Sequence, residues 1–467
     1  MKIAPTCFVI FGVTGDLSRR KLLPSVFDLY KKNLLPEKFC LIGFSRRNWS
    51  DVEFQDFVLS TLKEKGEDES LIKGFLVGAR FAEGVFEDKN SYIILSKIIN
   101  EVEINYFKEC GNKLFHLATP PSTYLTILEN IYQTGLSIPC SDTDGWSRVL
   151  IEKPFGRDVE TAKSLDKKLG EMFHEEQVFR IDHYLAKETV QNILTFRFSN
   201  PIFTPAWTSE NIERIDITLY ESDGINGRGE FYDSLGALRD VGQNHILQML
   251  SLIAMDRPTN WNSTDIRKSR LDILKKLKIS EEKGSVIRGQ YSGYTDEVGV
   301  DKNSQTETYF KIKAEIDTDY WKGVPFILES GKALDRDEVA IRVFFKRPDC
   351  TVPSKNEDFG GTNQLTFRIQ PDEGINLHFW FKVPGFGLAL EEKTLSFLYN
   401  ESNAEISDAY KRVLLDAIVG DQTLFASTDE VEAQWKFITP IIEGWKDKMS
   451  KVPLISYKKG LLSDDIV

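Results

Sequence analysis

The chain has 467 residues, with 71 acidic against 59 basic side chains and a formal net charge of −12 at pH 7. That length exceeds one ordinary core, so about two or three domains are expected, and the acidic balance argues against a general nucleic-acid binder. No apolar run reaches the ~18 residues of a membrane span, and the five cysteines (7, 40, 110, 140 and 350) are scattered without CxxC spacing, which reads as reduced thiols in a cytoplasmic protein.

Residues 6–30, TCFVIFGVTGDLSRRKLLPSVFDLY, pass from an apolar strand through a glycine turn into a helical pattern. CFVIFGV is too short and too soon interrupted for a signal peptide. Gly12 permits a tight turn, and Gly15 lets the backbone approach a pyrophosphate at a helix N-terminus. GVTGDL is not the full GxGxxG fingerprint, and a plain βα turn reads equally well.

The next strand, KFCLIGFS, ends in Arg46 and Arg47, with no acid before Asp51. An NAD site places a carboxylate there for the ribose 2′-hydroxyl, whereas a guanidinium suits the 2′-phosphate of NADP. Two solvated arginines ahead of a helix capped at Ser50 or Asp51 are the alternative. KLFHLATPP (113–121) and WSRVLIEKPFG (146–156) read as further parallel strands, with helical stretches at 91–102 and 122–132 between them. Strands alternating with helices predict a Rossmann-type doubly wound parallel sheet over residues 1–180. Lys153 stands at a strand end, and Pro154 after it gives the preceding bond access to the cis form. A solvated lysine before a helix starting at Asp158 is the plainer reading.

In RIDHYLAKETVQN (180–192), a helix over 182–194 puts His183 and Lys187 on one face, with the Tyr184 hydroxyl close by. Together they suit an anion, and Asp182 points elsewhere. Beyond residue 200 the pattern alternates: RIDITLYES, VAIRVFF, QLTFRI, INLHFWFKV and KTLSFLYN. Period two marks strands buried on one face, so residues 181–467 are expected to form an α+β domain with a large antiparallel sheet. In LRDVGQNHILQML, Asp240 precedes a helix and His245 lies one turn inside it. A histidine held by a carboxylate serves as a general base near neutral pH. His116 in a sheet strand, His174 on an acidic surface helix and His378 on an alternating strand read as structural.

GVTGDLSRRKLLPSVFDLY, GFSRR, IEKPFGRD, RIDHYLAKETVQN, LRDVGQNHILQML, SGKAL, RIQPDE and DAYKRVLLDAIVGDQTLF occur in this order. Together they closely resemble the glucose-6-phosphate dehydrogenases. The resemblance implies oxidation of D-glucose 6-phosphate to 6-phospho-D-glucono-1,5-lactone with hydride transfer to NADP, opening the oxidative pentose phosphate pathway. It implies His245 as base oriented by Asp182, Lys153 between sugar and nicotinamide, and His183, Tyr184 and Lys187 on the phosphate. Glu221 and Asp240 would accept from sugar hydroxyls, with Lys332 and Gln370 as outer contacts. Gly12, Thr14, Gly15, Asp16, Leu17 and Arg46 would bind the cofactor. It also implies a homodimer, or a dimer of dimers, paired through the large sheet.

Two departures stand out. Five residues beyond Lys332, where the family often has a second basic residue, the chain has Asp337, with Arg336 one step earlier. No set of basic and aromatic ligands for a second, structural NADP is evident, so one NADP per subunit is expected. Free glucose as substrate is disfavoured, because it would leave His183 and Lys187 without their anion. A catalytically dead NADP sensor is disfavoured by the intact Asp182, His245 and Lys153.

Overall fold

The protein is described from a computed structural model, which places residues 4–141, 145–347, 362–387, 389–401, 408–446 and 452–466. Six strands open the chain: β1 (Thr6–Phe11), β2 (Phe39–Ser45), β3 (Arg80–Glu83), β4 (Asn112–Leu117), β5 (Ser147–Glu152) and β6 (Val178–Ile181). Further along come β7 (Ile212–Tyr220), β8 (Leu277–Ile279), β9 (Val286–Tyr291), β10 (Tyr309–Ile316), β11 (Phe326–Gly331) and β12 (Glu338–Phe345). The last are β13 (Gln364–Gln370), β14 (Gly374–Lys382), β15 (Leu390–Leu398), β16 (Phe425–Ala426) and β17 (Leu454–Tyr457).

The first sheet runs β16-β6-β5-β4-β1-β2-β3, parallel except for β16. Every residue of β1 and β2 is buried, as expected of strands covered by helices on both faces. The second sheet runs β15-β14-β13-β12-β7-β11-β10-β9-β17, with β8 beside β10. It is mixed rather than purely antiparallel, since β7 pairs β11 and β9 pairs β17 in parallel. This sheet is the large one expected, and alternating burial marks β10.

Helix caps follow the sequence closely. Ser50 and Asp158 each cap the following helix with a reciprocal side-chain bond from three residues on. Two local readings are corrected. Residues 182–187 are not helical: the Asp182 carboxylate accepts the Tyr184 N–H at 2.9 Å and turns the chain, so the helix starts at Glu188 with Lys187 as its N-cap. A side-chain acceptor two residues back competes with the helix here. His174 precedes a short 3₁₀ turn, Glu175–Gln177, rather than lying on a surface helix.

The cysteines need a larger correction. Cys110 and Cys140 are joined as a disulfide across 30 residues, while Cys7 and Cys40 are free and buried. Cys110 precedes β4 and Cys140 precedes β5, two neighbouring strands, and adjacency in the sheet brings together what the sequence spaces apart. Cys350 lies outside the described residues.

Candidate active site

Three turns at the C-terminal ends of the first sheet carry the cofactor-loop residues and Lys153. Gly12 adopts a φ of +76°, and a Cβ there would come within 2.6 Å of the Ala118 carbonyl, so only glycine fits. Gly15 donates its N–H to the Gly12 carbonyl at 2.9 Å, and the helix follows, π-helical over Ser18–Leu22 and α-helical over Leu23–Lys31. Thr14 and Leu17 are half-buried, and Asp16 is exposed in a 2.7 Å pair with Arg20. Arg46 and Arg47 emerge exposed from β2, the second against Trp49, and among the described residues Arg46 has no ion pair. None of these loop residues lines the two cavities described next.

The first cavity, about 410 Å³, is lined by Lys153, Glu221, Asp240, His245 and Lys332. Lys153, whose bond to Pro154 is cis, donates to the Asp240 backbone carbonyl at 2.7 Å and to its carboxylate at 3.3 Å. Lys332 donates to the Glu221 carboxylate. Asp240 and His245 lie within one π-helix, Leu238–Ile246, so Asp240 does not precede it as the sequence suggested. The wider π turn bonds residue i to i+5, which brings these two, five apart, toward one face.

At the back of this cavity the Asp182 carboxylate meets His245 Nδ1 at 2.6 Å, both side chains almost wholly buried. Burial would raise the Asp182 carboxyl, but the His245 ring beside it prevails and holds it at about 2. Burial lowers His245 below the usual imidazole value, so at neutral pH the ring is neutral beside an ionised carboxylate. With Nδ1–H directed to Asp182, Nε2 is the nitrogen left to take a proton.

His183 and Tyr184 line this cavity and a second one of about 610 Å³, shared with Lys187, Gln370, Glu373 and Tyr410. The Lys187 ammonium donates to the Gln370 amide oxygen and sits 4.2 Å over the Tyr184 ring. Burial lowers Lys187 to about 8 and His183 to about 3, so the His183 ring is neutral at pH 7. Its ring lies 4.7 Å from that of His245. The two cavities therefore meet beside the Asp182–His245 pair.

Family models describe the chain in two parts: "Glucose-6-phosphate dehydrogenase, NAD binding domain" over residues 9–192 and "Glucose-6-phosphate dehydrogenase, C-terminal domain" over 194–463. The chain belongs to the glucose-6-phosphate dehydrogenase family. It is 41% identical to glucose-6-phosphate 1-dehydrogenase of Borreliella burgdorferi, over 94% of this chain and 92% of that one. It is 39% identical to glucose-6-phosphate 1-dehydrogenase 2 of Mycobacterium tuberculosis, over 95% and 89%. A solved glucose-6-phosphate dehydrogenase in complex with its substrate glucose-6-phosphate superposes with a TM-score of 0.90, at 33% identity, over 99% of this chain and 96% of that one.

Of this glucose-6-phosphate dehydrogenase family site, some lining residues carried no sequence signal. Arg228, Phe231 and Leu235 wall the smaller cavity from the short helix Gly229–Asp233 and its flanks. Tyr410 and Glu373 reach the larger one. Tyr410 lies in DAYKRV, a stretch noted without a role. Arg336 is placed away from both cavities, against Asp335 at 2.8 Å and over the Tyr220 ring, while Asp337 accepts the Ser222 N–H at 2.7 Å. Position 337, where the resemblance implies a basic residue, thus caps a loop.

Proposed function

We propose that this oxidoreductase converts D-glucose 6-phosphate to 6-phospho-D-glucono-1,5-lactone with NADP as hydride acceptor. The observation that carries the reading is the buried 2.6 Å Asp182–His245 pair, set where a cavity with paired charges meets one holding Lys187. The chemistry needs a base at the C1 hydroxyl and a hold on the phosphate several ångströms away, and this arrangement supplies both.

In this reading His245 Nε2 takes the C1 hydroxyl proton as the C1 hydride leaves and the C1–O double bond forms. Asp182 keeps the ring oriented and stabilises it once charged, as the carboxylate of a triad does. Lys153, Asp240, Glu221 and Lys332 orient the sugar. His183, Tyr184 and Lys187 hold the phosphate, with Gln370 outside them. NADP supplies the nicotinamide C4 that accepts the hydride.

The turn at Gly12, closed to any Cβ, fits a pyrophosphate approaching the backbone, and the exposed Arg46 suits a 2′-phosphate. Thr14, Gly15, Asp16 and Leu17 complete that cradle. We assign residues 1–180 to cofactor binding and 181–467 to the sugar phosphate and to subunit pairing. Leu395 and Phe397 of β15 and Phe381 of β14 are large apolar side chains exposed at the sheet's end, and they suit a homodimer or dimer of dimers. A cytoplasmic location fits the substrate. The Cys110–Cys140 bond argues instead for an oxidising compartment.

Turnover with glucose 6-phosphate, followed by absorbance of the reduced nicotinamide with NADP and NAD in parallel, tests the reading. Rapid reduction of NADP and slow reduction of NAD is the expected result. Arg46→Ala should raise KM for NADP and leave KM for NAD in place. Equal loss with both cofactors would remove Arg46 from the 2′-phosphate.

A further inference from the structure

The helix that carries Asp240 and His245 starts without a cap of its own. Ala237, at its N-cap, has no side-chain acceptor, and the first N–H groups of a helix have no partner within it. Glu307 fills part of the gap. Its carboxylate Oε1 accepts the Leu238 N–H at 3.0 Å, and its backbone carbonyl accepts the Ala237 N–H at 3.0 Å. Glu307 stands just before β10 and is 4% exposed. Gly236 makes the approach possible, because a Cβ there would lie 2.4 Å from Oε1.

We propose that Glu307 is a positioning residue for the reaction: by holding the first turn of the helix Leu238–Ile246, its carboxylate fixes where Asp240 meets Lys153 and where His245 Nε2 points. The choice of substrate in its test rests on the function proposed above. An anion at a helix N-terminus interacts favourably with the helix dipole, and a protonated one holds less firmly. The groups facing Glu307 are Arg239 of the same helix, Arg288 of β9, and the phenols of Tyr232 and Tyr294. Arg239 donates to the Arg157 and Leu235 carbonyls, and Arg288 to that of Val452. Among the described residues neither forms an ion pair with Glu307. Burial pushes the Glu307 carboxyl up to about 7, so the charge of the cap fades as pH falls through neutrality.

Two variants separate positioning from mere packing. Glu307→Ala removes the acceptor and should lower kcat about tenfold, the scale of a small misplacement of catalytic groups, with KM for NADP unchanged. Glu307→Gln keeps an acceptor oxygen but no charge. It should hold kcat at pH 8 down at the level that wild type reaches once Glu307 is protonated, above the level of Glu307→Ala, and lose the decline near pH 7, leaving only the lower limb set by His245. Its melting temperature should also gain on wild type between pH 5.5 and 8. A carboxyl raised in the fold makes the native state bind more protons than the unfolded chain in that window, so wild-type stability falls as pH rises.

Wild-type kcat in Glu307→Ala, or a wild-type pH profile in Glu307→Gln, would overturn the proposal. If glucose 6-phosphate is not turned over at all, the function fails separately, and the position of His245 still decides about Glu307. With only five histidines, the ring-nitrogen NMR signals of ¹⁵N-histidine protein can be assigned using His245→Asn. A His245 signal displaced in Glu307→Ala supports the proposal, and one left in place overturns it.

Discussion

The two cavities that meet at His245 differ in one unpaired lysine. In the smaller one each lysine has a carboxylate in contact, Lys153 with Asp240 and Lys332 with Glu221. In the larger one Lys21 and Lys411 are likewise paired, with Asp408 and Asp28, but the Lys187 ammonium contacts a neutral amide and an aromatic ring, and among the described residues it forms no ion pair. Paired charges orient hydroxyls without drawing in an anion, whereas an uncompensated, partly buried cation is costly until an anion arrives. A chain of net charge −12 can thus select a phosphate by leaving one lysine of that cavity unpaired beside two that are paired.

That contrast can be sharpened by substitution. The largest effect belongs to the junction: His245→Asn should cost ~10²–10⁴-fold in kcat with little change in KM, read from initial rates. A raised KM with normal kcat would make His245 a binding group instead. Next comes Lys187→Ala, which removes a charge-assisted contact of about 1.5–3 kcal/mol and should weaken sugar-phosphate binding about 10–150-fold. If Lys332→Ala did the same to the phosphate while Lys187→Ala did not, the two cavities would have been assigned the wrong way round.

A smaller effect should appear with pH. Burial holds Lys187 at about 8, so its charge is lost as pH rises through that value, and KM for the sugar phosphate should climb between pH 7.5 and 9. Lys187→Arg, charged throughout, should flatten the climb. Smallest for turnover is Cys110→Ser, far from both cavities, which should leave kcat alone. Opening a loop of 30 residues should still cost about 3–4 kcal/mol of stability, read by denaturant unfolding without reductant. Thiol titration of unfolded protein should find two more thiols with reductant than without, and an equal count would restore the reduced reading.

Legibility in the sequence followed the range of the interactions. The glycine turn at 12–15, the buried strand runs and the caps at Ser50 and Asp158 are local, and each was readable. The spacing of His183 and Lys187 fits a helix or a tight turn alike, and only the Asp182 carboxylate bonding to the Tyr184 N–H decides for the turn. Asp182 and His245 stand 63 positions apart, and family resemblance rather than any pattern in the residues joined them. Nothing marks Glu307, which lies in QTET and reads as loop. Cys110 and Cys140 likewise meet only because β4 and β5 are neighbours.

The antiparallel contact of β16 with β6 has a consequence of its own. The chain leaves the first sheet after β6, builds all of the second sheet but β17, and then sends Phe425–Ala426 back to cover β6 from outside. Arg180 of β6 reinforces the cover, reaching Thr428 just beyond β16. A fragment ending near residue 192 would lose this lid and present a bare row of backbone donors and acceptors, a template for chain-to-chain pairing. The cofactor half therefore has its outer edge closed by the far end of the polypeptide, and during synthesis that edge stays open until residue 426 has emerged.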